Sequence, residues 1–262
     1  MQIRQEINHT VPEALQEFFA ANPKCALAFS GGSDSAYLLY AARKCGAEVG
    51  VYYVKSRFQA NFEYRDALQL TFDLQCPLHV LDADVLNDEN IVSNPPDRCY
   101  HCKKRIFKAI IEAGAEDGYA TVIDGTNFSD DASDRPGMRA LAELGVRSPL
   151  RECGITKDAL RAYSKAAGLF TWDKPAHACL ATRIPCGMPI SAALLEKTER
   201  AEDALMNMGF SDFRVRIAEG GAAKIQIRRQ QLDLLMEKQQ AVLAALQTDF
   251  QDIMLDLRFR GE

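Results

Sequence analysis

The sequence predicts an α/β protein: a parallel, doubly wound sheet with helices on both faces, followed by a small C-terminal α+β domain. Three observations carry this expectation. Short β-rich runs at residues 26–29, 48–54, 78–81 and 120–124 alternate with amphipathic helical stretches, the pattern of successive strand–helix–strand crossovers. The first run leads through Ser30-Gly31-Gly32-Ser33-Asp34-Ser35 directly into an apolar-periodic helix over residues 36–44. From about residue 175 the order changes to helix, two alternating strands, long helix and strand, so the expected domains are residues 1–170 and 171–262.

Residues 11–21 carry apolar side chains at helical spacing, and Pro12 with Glu13 suits a helix start, predicting a helix that packs outside the sheet. The glycine turn after the first strand is the most informative stretch of the chain. Two adjacent glycines let the backbone turn its N–H groups into a concave nest, and the helix start adds unpaired donors and a positive dipole end. Such a turn is a socket for phosphate or pyrophosphate. Ser30, Ser33 and Ser35 add hydroxyls without bulk, and the Gly-Lys-Ser/Thr ending of a Walker loop is absent. Asp34 beside a bound phosphate reads as a magnesium contact or a helix N-cap.

The second strand (48–54) is followed by a helix over 62–74 and a third strand, 78–81, with Asp82 and Asp84 at its carboxyl end, where open α/β sheets place ligands. Pro95-Pro96 ends the next element, and Asp97 is placed to cap a helix from about 98 to 112. Cys99 and Cys102 fall in its first turn on one face, where the dipole and Lys103, Lys104 and Arg105 favour thiolates; they read as metal ligands, a redox pair or nucleophiles. His101 reads as a solvent-facing neighbour. The fourth strand ends in Asp124-Gly125-Thr126-Asn127, delivering small polar groups to the sheet edge that carries the socket. Asp130, Asp131, Asp134 and Arg135 then crowd a loop closed by Pro136 and Gly137, either a magnesium or substrate site or a solvated surface. Thr156 is placed to cap a helix reaching about residue 167.

Pro175, Pro185 and Pro189 deny regular structure to the stretch holding Cys179, Arg183 and Cys186, and a cysteine beside Arg183 could be kept as a nucleophilic thiolate. Alternatively Cys99, Cys102 and Cys179 form three ligands for a [4Fe–4S] cluster with one open iron. Cys25, Cys45, Cys76 and Cys153 read as packing residues, and Cys186 fits either role. A helix over 191–209, strands at 213–217 and 223–227 joined around Gly220-Gly221, a helix over 230–246 and a strand at 253–257 complete the chain. Between residues 214 and 238 six basic residues face three acidic ones, and Arg214 and Arg216 share one strand face where they could grip a phosphate.

With 262 residues and 47% hydrophobic content the chain can bury a real core. The expectation is a cytoplasmic protein, because no run approaches the ~20 apolar residues of a membrane span and the first residues lack a signal-peptide core. A net charge of −5 disfavours nucleic acid as a partner. Eight cysteines without an export signal point to buried thiols, metal ligands or reactive groups rather than a disulfide framework.

The hexapeptide SGGSDS after a first strand resembles the signature of the PP-loop ATP pyrophosphatases, which implies a Rossmann-like (adenine nucleotide alpha hydrolase-like) sheet and cleavage of ATP between its α and β phosphates. DGTNFSDDASDRPGMRALAELGVRSPL, RCYHCKK and KPAHACLATRIPCG resemble the LarE-type ATP-dependent sulfur transferases over nearly the whole chain, from about residue 26 to 227. The resemblance implies that magnesium-ATP adenylates the carboxylate of a pyridinium mononucleotide, a precursor of a nickel-pincer cofactor, and that sulfur then displaces AMP. It implies ATP and substrate contacts at Ser30–Ser35, Gly125 and Asn127 and at Asp130, Asp134, Arg135 and Arg183, a substrate-phosphate grip by Arg214 and Arg216, and a homo-oligomer. Sulfur comes either from Cys179, which ends as dehydroalanine, or from sulfide on a cluster. The family's histidine-containing turn after the first C-terminal strand is replaced here by IAEGGAAK. The rival readings are a tRNA thiolase, an ammonia-dependent amidating enzyme on the same ATP chemistry, and an AMP- or ATP-binding module.

Overall fold

The computed structural model describes residues 10–130 and 136–261. They divide into two compact units: residues up to Ser56 with Asn61–Val85 and Asp97–Lys174, and Arg57–Ala60 with Leu86–Pro96 and the chain from Pro175 on. The expected boundary near residue 170 treats each domain as continuous in sequence, whereas two short excursions of the N-terminal half belong to the second unit.

The first unit is built on the expected crossovers. Helix α1 (Glu13–Ala21) precedes strand β1 (Lys24–Ala28), α2 (Ser33–Lys44), β2 (Glu48–Lys55), α3 (Asn61–Asp73) and β3 (Leu78–Asp82). After the short α4 (Glu89–Val92) of the second unit come α5 (Arg98–Glu116), β4 (Val122–Ile123), α6 (Pro136–Glu143), α7 (Pro149–Glu152) and α8 (Lys157–Ala166). The strands lie in the order β3-β2-β1-β4, all parallel, with Ala26 opposite both Gly50 and Val122. Alternation along the strands sorts side chains between two cores. Leu27, Val51 and Tyr53 pack with α1, α2, α3 and α8, whereas Ala26, Tyr52 and Val54 pack with Phe107 and Ile110 of α5 and Leu141 of α6. Helices therefore cover both faces of a Rossmann-like sheet. Tyr37 of α2 stacks on Tyr163 of α8 with ring centroids 5.9 Å apart, which fixes α8 beside the helix that follows the socket.

The second unit contains α9 (Ala192–Asn207), whose N-cap Ser191 accepts from Leu194 N, and a mixed sheet of β5 (Arg214–Ile217), β6 (Ala223–Gln226) and β7 (Ile253–Leu255). β5 and β6 form the expected antiparallel pair, and β7 adds in parallel to β6. The single helix expected over 230–246 is two, α10 (Leu232–Glu237) and α11 (Gln239–Leu246), broken at Lys238 with φ −93° and ψ 7°. α10 buries no residue, so no apolar face holds it in line with α11.

Three further expectations are corrected. The loop read as closed by Pro136-Gly137 is instead the start of a helix, because proline suits the first helical turn. The fourth strand shrinks to two residues. Asp97 occupies the N-cap of α5 without capping it; its carboxylate reaches His101 at 3.3 Å. No helix among the described residues is long and apolar enough to cross a membrane.

Candidate functional site

In the first unit, β1 delivers the chain to Ser30, and Gly31 makes the turn with φ +71°. A Cβ on Gly31 would lie 2.7 Å from the Glu63 carbonyl oxygen, so the loop is pressed against α3 and only glycine fits. Hydroxyls tie the loop together: Ser30 Oγ accepts from Gly32 N at 3.3 Å and meets Ser35 Oγ at 3.1 Å, and Ser35 Oγ donates to Gly32 O at 3.2 Å. The β4 end closes in from the other side. Gly125 has no room for a side chain, since a Cβ would lie 2.9 Å from Ser35 N. Buried Asp124 accepts from Thr126 Oγ1 (2.5 Å) and Ser148 Oγ (2.6 Å), fixing that strand end.

Asn127, 3% exposed, donates from Nδ2 to Asp34 Oδ2 at 3.0 Å, and its own N–H donates to Asp130 Oδ2 at 3.0 Å. The sequence-predicted Ser30–Ser35, Gly125, Asn127 and Asp130 are thus gathered at one edge of the sheet. Asp131, Asp134 and Arg135 lie outside the described residues.

Two cations at the socket were not foreseen. Lys157, the first residue of α8, pairs with Asp34 Oδ1 and donates to Ser33 Oγ at 2.8 Å. Lys174 donates to Gly31 O at 3.2 Å and pairs with Asp66 at 2.6 Å. Each is over 100 residues from its partner in sequence, and Thr156 as a helix cap was the only local signal near Lys157. Asp34 therefore does not cap α2; it anchors Lys157 and Asn127. Its Oδ2 accepts from Asn127, and a carboxylate oxygen keeps a second lone pair able to meet a magnesium ion carried by phosphates. The same unit carries Cys99, exposed, and Cys102, half-buried, one turn apart at the start of α5, with Arg98 Nη2 3.9 Å from Cys99 Sγ. Within either unit no three His, Cys, Asp or Glu side chains among the described residues come together as a metal site. A three-cysteine set would draw Cys99 and Cys102 from one unit and Cys179 from the other.

In the second unit Cys179 precedes a 3-10 turn, Leu180–Arg183, and its carbonyl accepts from Thr182 N (2.9 Å) and Thr182 Oγ1 (2.8 Å). Arg183 is 1% exposed, and its Nε, Nη1 and Nη2 are all engaged. Nε and Nη2 fork onto Glu202 at 2.8 and 2.9 Å, Nη1 donates to Ala178 O (2.7 Å) and Thr182 Oγ1 (2.8 Å), and Nη2 also meets His177 Nε2 at 2.9 Å. His177 Nε2 lies 3.3 Å from Glu202 Oε2 as well, so the imidazole touches both members of the pair. Arg183, expected as a substrate contact, thus turns its guanidinium onto Glu202 and its own turn. Glu202, in α9, also accepts from Val215 N at 2.9 Å. Burial alone would push its carboxyl up, but the bonds from His177 and Arg183, the Arg183 charge and the Val215 N–H outweigh it and hold it down to about 2.

Arg214 donates to Ala176 O and Phe213 O, both at 2.6 Å, and Arg216 to Thr182 O at 2.8 Å. Burial first, and then the charges of Arg183 and Arg260, push Arg214 down to about 10 and lower Arg216 as well. That crowding of guanidinium groups is an environment that an anion would relieve. Cys186 is exposed, with Sγ 3.4 Å from Asn94 O. Burial raises the Cys25 thiol to about 12 and Cys45 to about 11, as their packing role requires.

No family model matches the chain. Among characterised and uncharacterised relatives, it is 32% identical over 226 residues to an uncharacterised protein of Synechocystis sp., covering 86% of this chain and 84% of the relative. It is 30% identical over 237 residues to the pyridinium-3,5-bisthiocarboxylic acid mononucleotide synthase of Lactiplantibacillus plantarum, covering 89% and 86%. An uncharacterised protein of Methanocaldococcus jannaschii is 28% identical over 236 residues, 90% of each chain.

Proposed function

Because this chain belongs to the LarE family, that of the pyridinium-3,5-bisthiocarboxylic acid mononucleotide synthase, we propose that it is an ATP-dependent sulfur transferase acting on the carboxylate of a pyridinium mononucleotide in nickel-pincer cofactor biosynthesis. The observation that carries the ATP step is the socket: a serine–glycine turn at a helix start, with Lys157 and Lys174 beside it. In this reading a substrate carboxylate oxygen attacks the α-phosphorus, the α–β P–O bond breaks, and pyrophosphate stays among Ser30–Ser35. Asp34 would contact magnesium, which when bound spreads the phosphate charge. Gly125, Asn127 and Asp130, with Asp134 and Arg135, belong to the nucleotide and substrate side, and Arg214 and Arg216 take the substrate phosphate. Pyrophosphatase-type adenylation leaves a mixed anhydride whose AMP is a good leaving group.

The Cys179 thiolate then attacks the acyl carbon, the C–O bond to AMP breaks, and AMP departs with the electron pair. The resulting thioester loses the Cα proton of Cys179 to a base and breaks at Cβ–S, leaving a thiocarboxylate on the substrate and dehydroalanine in the chain. The spacing of Cys99 and Cys102 on one helix face favours a second source: with Cys179 they would hold a [4Fe–4S] cluster, which supplies sulfide to the same adenylate. The reading includes a cytoplasmic homo-oligomer with no nucleic-acid or membrane partner.

The test is thiocarboxylate formation from pyridinium-3,5-biscarboxylic acid mononucleotide and magnesium-ATP by protein purified without oxygen, alongside Cys179→Ala. The variant should release pyrophosphate without making thiocarboxylate; full product from it would refute the assignment. Loss of the mass of hydrogen sulfide from wild type marks the cysteine as source, whereas a band near ~400 nm that disappears in Cys99→Ala marks the cluster.

A further inference from the structure

The ion pair of Arg183 and Glu202 is almost wholly enclosed, with side-chain exposures of 0% and 6%. A buried pair of this kind is weak evidence for stability, because desolvation of two charges offsets much of their attraction, and well-packed apolar residues often do as well. What it does supply is orientation. A guanidinium fork on a carboxylate has one plane and one direction, and here the carboxylate is fixed independently, by its helix and by the Val215 N–H of β5. The other end of the fork grips the Ala178 carbonyl and the Thr182 hydroxyl, and that hydroxyl in turn bonds the Cys179 carbonyl. The chain of bonds runs without a gap from α9 to the residue that carries the thiol.

We propose that Glu202 is a positioning residue for Cys179: it fixes Arg183, and Arg183 fixes the peptide groups on either side of the cysteine, so that the turn presents Sγ in a single geometry. The inference rests on the reading that Cys179 takes part in sulfur transfer, and it adds a residue that does not itself touch the reacting atoms. The energetic reason is the sensitivity of an attack on an acyl carbon to placement, since a displacement of about 1 Å costs on the order of a hundredfold in rate. Glu202→Gln keeps the size and one carbonyl acceptor but turns an amide N–H₂ toward Arg183 Nη2 or toward Arg183 Nε and Val215 N, either of which forces the fork to move.

The experiment compares wild type, Glu202→Gln and Arg183→Lys in two assays. Iodoacetamide labelling, read by mass spectrometry of peptides, gives the rate at Cys179 with exposed Cys186 of the same unit as internal reference. In both variants the Cys179 rate should change by about threefold or more relative to Cys186, and the single-turnover rate of thiocarboxylate formation should fall about tenfold or more, with the ATP concentration for half-maximal rate held within about twofold. A merely structural role would move both thiols together and lower the melting temperature without separating the single-turnover rate from the ATP dependence. Cys179 labelled at the wild-type relative rate in both variants overturns the proposal. Should neither variant fold, hydrogen exchange of wild type decides: the amide of Thr182 exchanging as fast as a free peptide overturns it, and protection matching that of Val215 upholds it. If wild type makes no thiocarboxylate, the proposed function fails while the labelling result still decides the positioning.

Discussion

Replacing Lys157 by methionine keeps the length of the stem and removes the cation that neutralises Asp34 at the phosphate socket. Both side chains are 24% exposed, so the pair lies between a surface ion pair and a buried one, and its loss should cost about 1–2 kcal/mol of stability. The larger effect is on ligand binding. With Lys157 gone, the Asp34 carboxylate faces incoming phosphate unscreened, and two unit charges ~5 Å apart at an effective dielectric of about 20 repel by about 3 kcal/mol. That corresponds to roughly a hundredfold weaker binding. The assay is isothermal titration with inorganic pyrophosphate in the absence of magnesium, which isolates the socket from the rest of ATP. Lys157→Met should bind about a hundredfold more weakly than wild type, and the double variant Lys157→Met, Asp34→Asn should recover about half of the lost free energy or more, because the repelling charge is gone. Pyrophosphate binding to Lys157→Met within about threefold of wild type would refute the reasoning.

Gly125→Ala places a methyl group 2.9 Å from the Ser35 amide nitrogen, so ATP-dependent pyrophosphate release should fall by about tenfold or more while urea unfolding shows a loss of about 1–3 kcal/mol. The low Glu202 pKa makes an acid signature. Its folded value, about 2, lies below that of an unfolded glutamate, so the group stabilises the fold fully above about pH 4.5 and this contribution disappears as pH falls toward 2. The contribution is at most about 3 kcal/mol, and acid titration of Glu202→Gln should lack the corresponding part of the slope, whereas identical acid profiles would count against a depressed pKa.

The sheet was legible because its information is local. Short β-rich runs, helical apolar spacing and the punctuation of glycine and proline place β2, β3, α3 and α8 to within a residue or two. The socket was legible for the same reason, since strand, glycine turn and helix follow one another without a break. What was not legible depends on partners far apart in sequence. Lys157 looks like any lysine in a first helical turn, and only the fold brings it to Asp34. Glu202 sits in LLEKTERAEDAL among other charged residues from which nothing local sets it apart, yet it is 4% exposed. Arg183 was noticed for its closeness to Cys179, and the role it takes follows from a carboxylate 19 residues later. The break at Lys238 was hidden because polar residues on both sides propagate a helix equally well on propensity alone.

The division of the chain has a consequence for how the protein can be made. The polypeptide passes between the two units five times, at residues 56/57, 60/61, 85/86, 96/97 and 174/175. Within the second unit, Leu180 N bonds Phe58 O at 2.8 Å, Gly187 N bonds Asn94 O at 2.8 Å and Ile190 N bonds Val92 O at 2.7 Å. A ribosome therefore emits the seats for the cysteine-bearing segment long before that segment exists, and those seats wait, unfilled, until the C-terminal third emerges. No single cut separates the halves: a fragment beginning at Pro175 leaves three backbone partners behind, and one ending at Lys174 carries them with nothing to hold. Gene fusions, split reporters and expression of isolated halves all meet that same obstacle, and designs that respect it must keep the chain whole.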